Sequence, residues 1–412
     1  MCGIFGYYDR EKTSIQYDTL LDMGNVIKYR GPNDQGIYAE DGIAIGNQRL
    51  SIIDIEGGKQ PFSSEDGNVI VVQNGEIYNY VELAEMLEKK GFKTKTKSDT
   101  EVILRLYELE GIDFVKMLNG MFSIAIFDKK KRSLYLIRDR IGIKPLYYYD
   151  NGTTLVFASE IKSILASNIV PRSMSKEALH QYLTFNYVPQ PLTMFSNVYH
   201  VEPGSILEYN DSGAHKYSWW NLSDICPEHD VKEEEWIEEF KHIIEDSVRI
   251  RMRSDVPFGA FLSGGVDSST VVALMSKCAD GQSVKTFSIG FEDPRFDETI
   301  YAQQASERFN TEHFSRTVSP DLLDNWEMAT YHCDQPHGDV SFLPTYEVSK
   351  LAAERVTVVL TGDGGDELFA GYDKYKNFFN SNAINDWSDQ NTKRRYFNSI
   401  SLFKEREIDN LY

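Results

Sequence analysis

At 412 residues the chain is too long for one ordinary hydrophobic core, and two domains are expected. Lys and Arg number 43 against 63 Asp and Glu, a net charge of −20 that argues against non-specific nucleic-acid binding and against adhesion to anionic membranes. No apolar run approaches bilayer length, no signal peptide is recognised, and four scattered cysteines (Cys2, Cys226, Cys278, Cys333) form no metal spacing; a reducing cytoplasm is expected.

The chain opens Met1-Cys2-Gly3-Ile4-Phe5-Gly6. Removal of Met1 would leave Cys2 as a terminal residue beside two glycines, a poor place for a structural core thiol. A thiol nucleophile usually needs a base, yet the first histidine is His180. The α-amino group of Cys2, ordinarily titrating at roughly pH 7.7–8.0, can supply that base itself.

Short, turn-punctuated strands follow at Gly42 to Gly46, Arg49 to Asp54 and Val69 to Gln73. Asn74-Gly75-Glu76 reads most simply as a hairpin turn, and Asp99 as the cap of a helix from Glu101 to Gly111. Val81 to Lys90 is also helical, and Met121 to Phe127 pairs with Leu134 to Ile137 around the basic tip Lys129–Arg132. The prolines from Asn186 to Gly204 suggest a stiff linker. Trp236, Phe240, Ile244 and Val248 recur at helical spacing, which predicts a core-facing helix.

The most chemically explicit stretch is Phe258 to Thr270. A buried strand, Phe258 to Leu262, is followed by Ser263-Gly264-Gly265 and a helix from Val266 to Cys278. The glycines let backbone N–H groups converge on an anion, and Ser268 and Ser269 add hydroxyls at the helix start. Asp267 suits a magnesium ion bridging phosphate oxygens. Val284 to Phe291 is the next strand, and Phe296-Asp297-Glu298 precedes a helix from Thr299 to Phe309. Val356 to Leu360 leads into Thr361-Gly362-Asp363-Gly364-Gly365-Asp366-Glu367, where three carboxylates crowd one turn. Such a turn is either an exposed acidic loop or a cation site at the same sheet edge as the cradle. His332 and His337, in YHCDQPHGD, read as ordinary polar residues rather than a metal pair.

The run SGGVDSS resembles the pyrophosphate loop of ATP-pyrophosphatases. MCGIFGYY, Arg30-Gly31-Pro32, RLSIID, NGEIYNY, SDTE, RDRIGIKPLYY and FASEIKSIL resemble the glutaminase domain of glutamine-dependent asparagine synthetases. The resemblance covers almost the whole chain. It implies an α+β N-terminal nucleophile (Ntn) glutaminase sandwich, αββα, over residues 1–185, and a linker over 186–230. An α/β doubly wound parallel-sheet domain of the ATP-pyrophosphatase type, similar to adenine nucleotide alpha hydrolases, would occupy 231–412. The family continues further past Gly371-Tyr372, so the second domain is expected to be C-terminally incomplete, a poor synthetase alone and prone to associate.

The resemblance also implies roles. Cys2 would attack the side-chain amide of glutamine, Arg49 would pair with its α-carboxylate, and Glu76 and Asp99 would hold its α-ammonium group. Asn74 and the Gly75 N–H would form the oxyanion hole. Leu262, Ser263, Gly264, Gly265, Asp267, Ser268, Ile289, Thr361 and Gly362 would bind ATP, Asp363 would support adenylation, and Asp267 with Asp366 would hold Mg2+. The substrates implied are glutamine, aspartate and ATP, with no nucleic-acid or membrane partner, and with a homodimer allowed. Other acceptors, a glycan or peptide carboxylate, and a glutaminase with an inactive second domain remain alternatives. The chain departs from the family at Tyr29 and Asn33, at Asn47-Gln48, and at Asp334-Gln335-Pro336.

Overall fold

The computed structural model describes residues 1–12, 17–40, 42–228, 230–279, 281–318, 324–381 and 389–408. Parts of the polar C-terminal stretch, 382–388 and 409–412, lie outside the described residues. The chain forms two compact units, Met1–Ser175 with Gln190–Glu235 and Lys176–Pro189 with Trp236–Tyr412.

The first unit stacks two antiparallel six-stranded sheets. One runs, edge to edge, through Val198–His200, Tyr147–Asp150, Thr154–Ala158, Gly3–Asp9, Ile43–Arg49 and Asp34–Glu40. The other runs through Gly213–Ser218, Ser205–Asn210, Ser133–Arg138, Gly120–Asp128, Val69–Ile77 and Phe62–Ser63.

Alternation along each strand sorts its residues between layers. Ile4, Ile45, Ile70, Val72, Ala125 and Leu136 meet between the sheets. Phe5 and Val156 instead face outward against Leu20, Met23, Ile161 and Ile164 of the helices Tyr17–Asn25 and Ile161–Ala166. Val71, Ile124 and Ile137 pack on Leu87, Ile103 and Leu106 of the helices Tyr80–Lys89 and Asp99–Glu110. Each such side chain contributes about 1.5–3 kcal/mol by leaving water, so both sheets are covered on both faces. The αββα sandwich expected from the sequence is therefore present. The strands Val198–His200, Ser205–Asn210 and Gly213–Ser218 belong to these sheets; the proline-marked stretch is thus partly built into the sandwich.

The second unit holds a four-stranded sheet in the order Glu312–Val318, Lys285–Phe291, Phe258–Phe261, Val358–Leu360, every pair parallel. Parallel strands need crossovers, and the helices cover both faces, as the doubly wound expectation requires. Val248, Val272, Met275 and Ala302 bury one face, while Val348, Leu351 and Ala352 pack with Phe287 on the other.

One expectation fails. The spacing from Trp236 onward predicts a core-facing helix, yet in Glu233–Arg251 Trp236 is 44% and Phe240 43% exposed, and only Val248 and Ile250 are buried. Helical spacing marks the apolar stripe, but only its last turns join the buried core; Phe240 stays half-exposed although its ring meets Phe369 edge-on at 5.4 Å.

Candidate functional site

In the first unit a cleft is lined by Cys2, Arg49, Asn74, Gly75, Glu76 and Asp99, with Met1 and Lys144 at its wall. All six residues that the sequence assigned to glutamine are brought together there. They come from elements far apart in the chain. Cys2 precedes the strand Gly3–Asp9, Arg49 ends Ile43–Arg49, and Asn74 to Glu76 lie inside Val69–Ile77.

Two local readings are corrected. Asn74-Gly75-Glu76 is not a hairpin turn but strand, opposite Ser123, Phe122 and Met121. Gly75 is required there for another reason. Its φ is +153°, and a Cβ would fall 2.0 Å from the Met121 carbonyl oxygen. Asp99 does not cap the following helix. Ser98 is the cap, accepting from the Thr100 N–H, which leaves the Asp99 carboxylate free to accept from the Ile77 N–H at 3.0 Å and Gln73 Nε2 at 3.1 Å.

The Arg49 guanidinium donates to three carbonyls, Ile55 at 3.0 Å, Ile53 at 3.1 Å and Asp54 at 2.6 Å. Among the described residues no carboxylate neutralises it, so a buried cation faces the cleft with a charge to give. The same cleft holds two buried carboxylates, Glu76 and Asp99. Burial, reinforced by Asp99, pushes the Glu76 carboxyl up to about 7, with Lys144 and the chain's amino group pulling it back. Burial also pushes Asp99 up, although the Ile77 and Gln73 donors oppose it. A cation and carboxylates lining one cleft can pair with the carboxylate and ammonium of an amino acid.

The thiol of Cys2 sits 3.4 Å from the Leu50 N–H and 3.6 Å from its carbonyl. Burial raises its pKa, so it needs help to ionise. The nearby chain amino group is pushed down to about 5, first by burial and further by Arg30 and Lys144, with the Cys2 thiol opposing. That amine is Met1's; the Cys2 nitrogen is still in the Met1–Cys2 peptide bond and becomes an amine, able to take a proton, only when Met1 is removed. Lys144 itself is held down to about 8, chiefly by burial.

Several residues of this site escaped the sequence reading. Arg30 Nε donates to the Cys2 carbonyl at 2.9 Å, and Arg30 also pairs with Glu160 at 2.7 Å. Glu160 is shared with Lys162 at 2.5 Å and with the Tyr29 hydroxyl. Burial pushes Glu160 up, but Arg30 and Lys162 outweigh it and the net shift is downward. Ser159 accepts from the Ile4 N–H at 3.0 Å and from Asn74 Nδ2 at 3.3 Å. Tyr29 is one of the departures from the family pattern, and its ring lies under Lys162. Tyr29, Arg30, Lys144, Ser159, Glu160 and Lys162 all lie in or beside the recognised motifs, but nothing in their local pattern showed that they meet.

In the second unit the strand Phe258–Phe261 ends at the Ser263-Gly264-Gly265 turn, and the helix Val266–Cys278 starts with Asp267 in its first turn. Gly264 takes φ +85°, and a Cβ there would meet the Tyr301 carbonyl carbon at 2.4 Å. Ser263 Oγ accepts from the Gly265 N–H at 3.2 Å and lies 3.0 Å from Ser268 Oγ. The acidic turn packs on this loop. A Cβ at Gly362 would lie 2.7 Å from the Ser268 N–H nitrogen, and one at Gly365 would lie 2.5 Å from the Asp267 carboxyl carbon. Thr361 donates to Asp363 at 2.9 Å, and the Asp366 carboxylate lies against Gly371. Leu262, Ser263, Phe287, Ser288 and Ile289 line an adjoining cleft. The structure thus joins Asp267 to the glycines flanking Asp363 and Asp366. Among the described residues no group of three or more His, Cys, Asp or Glu is arranged to hold a metal ion by itself.

Residues 1–220 match the glutamine amidotransferase domain family and residues 239–408 the asparagine synthase family. A Methanocaldococcus jannaschii protein, provisionally named glutamine-hydrolysing asparagine synthetase 2, is 41% identical over 93% of this chain and 78% of its own length. The chain belongs to the glutamine-hydrolysing asparagine synthetase family. Glutamine-hydrolysing asparagine synthetase 1 of Bacillus subtilis is 40% identical over 91% of the chain, and asparagine synthetase 2 of the same organism 35% over 90%. The matched region spans 60% and 52% of those two synthetases. The cleft around Cys2 lies wholly within the amidotransferase match, and the cradle and acidic turn wholly within the synthase match.

Proposed function

We propose that this chain hydrolyses glutamine at Cys2 and transfers the ammonia to the acyl-adenylate of aspartate formed from ATP, giving asparagine, glutamate, AMP and pyrophosphate. The observation that carries the reading is the cleft in which the Cys2 thiol, a buried guanidinium and two buried carboxylates converge beside the start of the chain. With Met1 removed, the amine is that of Cys2. It takes the thiol proton as sulfur attacks the glutamine side-chain carbonyl carbon. The oxyanion is held by Asn74 Nδ2 and the Gly75 N–H, each such donor being worth about 3–4 kcal/mol. The carbon–nitrogen bond breaks with the proton returned to the leaving ammonia, and water releases glutamate from the thioester.

At the second unit the convergent N–H groups of Ser263 to Gly265 and the Ser268 hydroxyl suit the pyrophosphate of ATP. Asp267 and Asp366 suit Mg2+, which takes one or two carboxylates together with phosphate oxygens and neutralises them when bound. Leu262, Ile289, Thr361 and Gly362 would hold the rest of the nucleotide. A carboxylate oxygen of aspartate attacks the α-phosphorus and pyrophosphate leaves, with Asp363 supporting that step. Ammonia then attacks the acyl carbon and AMP leaves. A reducing cytoplasm suits a free Cys2 thiol.

The test is a product assay with glutamine, ATP, Mg2+ and a panel of carboxylic acids, scoring AMP and the amide. AMP formation dependent on aspartate and matched by asparagine is the expected result. AMP formed with another acid but not with aspartate would reassign the acceptor, and glutamate release without any AMP would reduce the activity to a glutaminase.

A further inference from the structure

Beneath the nucleotide cleft lies a chain of hydroxyls that ends on His313. Thr286 and Ser288 sit on the strand Lys285–Phe291, and His313 faces them from the neighbouring strand Glu312–Val318. His313 Nδ1 is 2.9 Å from Thr286 Oγ1, and its Nε2 is 3.1 Å from Ser288 Oγ. Thr286 Oγ1 is 2.9 Å from Thr311 Oγ1, which is 2.9 Å from Ser306 Oγ. Ser306 Oγ is in turn 3.3 Å from the Thr311 carbonyl oxygen.

These contacts fix the direction of every hydrogen. A carbonyl oxygen only accepts, so the Ser306 hydroxyl spends its proton on the Thr311 carbonyl. The Thr311 hydroxyl must then donate to Ser306, Thr286 to Thr311, and His313 Nδ1–H to Thr286. The unprotonated Nε2 is left to accept from Ser288. Four hydroxyl protons and one imidazole proton satisfy five contacts, each used once. No other assignment with a neutral ring does so, and burial lowers the pKa of His313, in keeping with a neutral ring.

Ser288 lines the cleft with Leu262 and Ile289, and its proton is already committed to His313. We infer that Ser288 acts as a hydrogen-bond acceptor toward the bound nucleoside, with His313 as the positioning residue that fixes this polarity. The cleft would therefore take a nucleoside presenting a donor at that point. An adenine amino group and a ribose hydroxyl share that chemistry, whereas the 6-oxo group of hypoxanthine or guanine cannot donate. This rests on the reading of the cleft as a nucleotide site. It deepens that reading by assigning a specificity-determining hydroxyl.

Calorimetric titration of the full chain with ATP, ITP, 2′-deoxy-ATP and 3′-deoxy-ATP in the presence of Mg2+ tests it. One donor lost against a desolvated acceptor should weaken binding by about tenfold or more. Preference for ATP over ITP places the donor on the base, and preference over one deoxy analogue places it on the ribose. Ser288→Ala should erase the preference. His313→Phe should erase it too, because the Ser288 proton is then free to turn into the cleft. His313→Gln, whose amide oxygen can accept from Ser288, should retain it. Circular-dichroism melts show whether each variant is folded. Equal binding of all four nucleotides by the unsubstituted chain, or a preference that survives Ser288→Ala, overturns the inference alone. Failure of the unsubstituted chain to bind any of the four overturns the nucleotide reading beneath it.

Discussion

The two sites of this chain are built on opposite electrostatic plans. In the cleft around Cys2 the charged groups are buried before any substrate arrives: Arg49 is 5%, Glu76 8%, Asp99 6% and Lys144 4% exposed. Burial there displaces Glu76, Lys144 and the amino group far from their ordinary titration ranges. At the cradle, by contrast, Ser263 and Gly265 are exposed, as are Asp363 and Gly364, and Val266 is 83% exposed. A small zwitterion can be matched in advance by fixed opposite charges. A polyphosphate with its cation brings most of the charge itself, and backbone N–H groups with short hydroxyls suffice to receive it.

The sharpest way to break this comparison is Cys2→Ala, which should reduce glutamate release by at least about a thousandfold, because no other thiol lines the cleft. Amide synthesis from added ammonium should survive in the same preparation. Residual glutaminase near the unsubstituted rate would show that the thiol is not the nucleophile.

The second effect is at the open site. Asp363→Asn and Asp267→Asn should each lower acceptor-dependent pyrophosphate exchange, by about ten- to a hundredfold, while glutamate release stays within about twofold. Asp267→Asn should also weaken Mg-ATP binding, and Asp363→Asn should spare it. Unchanged exchange in both variants would remove the acidic turn from the chemistry.

A smaller effect, of about tenfold per pH unit at most, sharpens the contrast from the buried side. In the proposed reading the α-ammonium of glutamine pairs with ionised Glu76, whose carboxyl is raised to about 7 in the free cleft. Protonation competes with binding, so affinity is fully present only well above pH 7 and is lost as pH falls through it. KM for glutamine should therefore rise between pH 8 and pH 6, and Glu76→Gln should raise KM and flatten the slope. A KM independent of pH over that range would mean that Glu76 does not receive the ammonium.

The smallest effects come from the helix that follows the first unit. Trp236→Ser should change stability by less than about 1 kcal/mol, since the side chain is 44% exposed, whereas Val248→Ala at 4% exposure should cost about 2 kcal/mol. Urea midpoints of the two variants separate these outcomes, and equal losses would mean that the whole apolar stripe is covered in solution.

Much of this was legible in the sequence, for reasons that can be named. Strand alternation decides which residues face the inter-sheet core, and Ile4 and Phe5 do part to opposite faces. The motifs around Cys2, Arg49, Asn74 and Asp99 singled out residues that the fold gathers in one cleft, without saying how they meet. Pairing was the missing quantity. Asn74 finds Ser159 across 85 residues of sequence, and Arg30 finds Glu160 across 130, distances over which no local pattern carries information. The hairpin turn that Asn74-Gly75 also allowed, Asn-Gly being the strongest short hairpin signal, is not formed; here the glycine serves a close approach of two strands. The Trp236 stripe misled because periodicity shows which face is apolar and not what lies opposite.

The grip of Arg30 on the Cys2 carbonyl has a consequence for maturation. Its anchor is the C=O of residue 2, on the far side of that residue from the Met1–Cys2 peptide bond. The Met1 side chain is 54% exposed, and its sulfur lies 2.7 Å from the Lys144 ammonium. Cutting the peptide bond would free a new amine at Cys2 without loosening the clasp that orients it. It would also remove the sulfur that lies against Lys144. Such trimming unmasks the base and leaves the thiol where the fold has already set it.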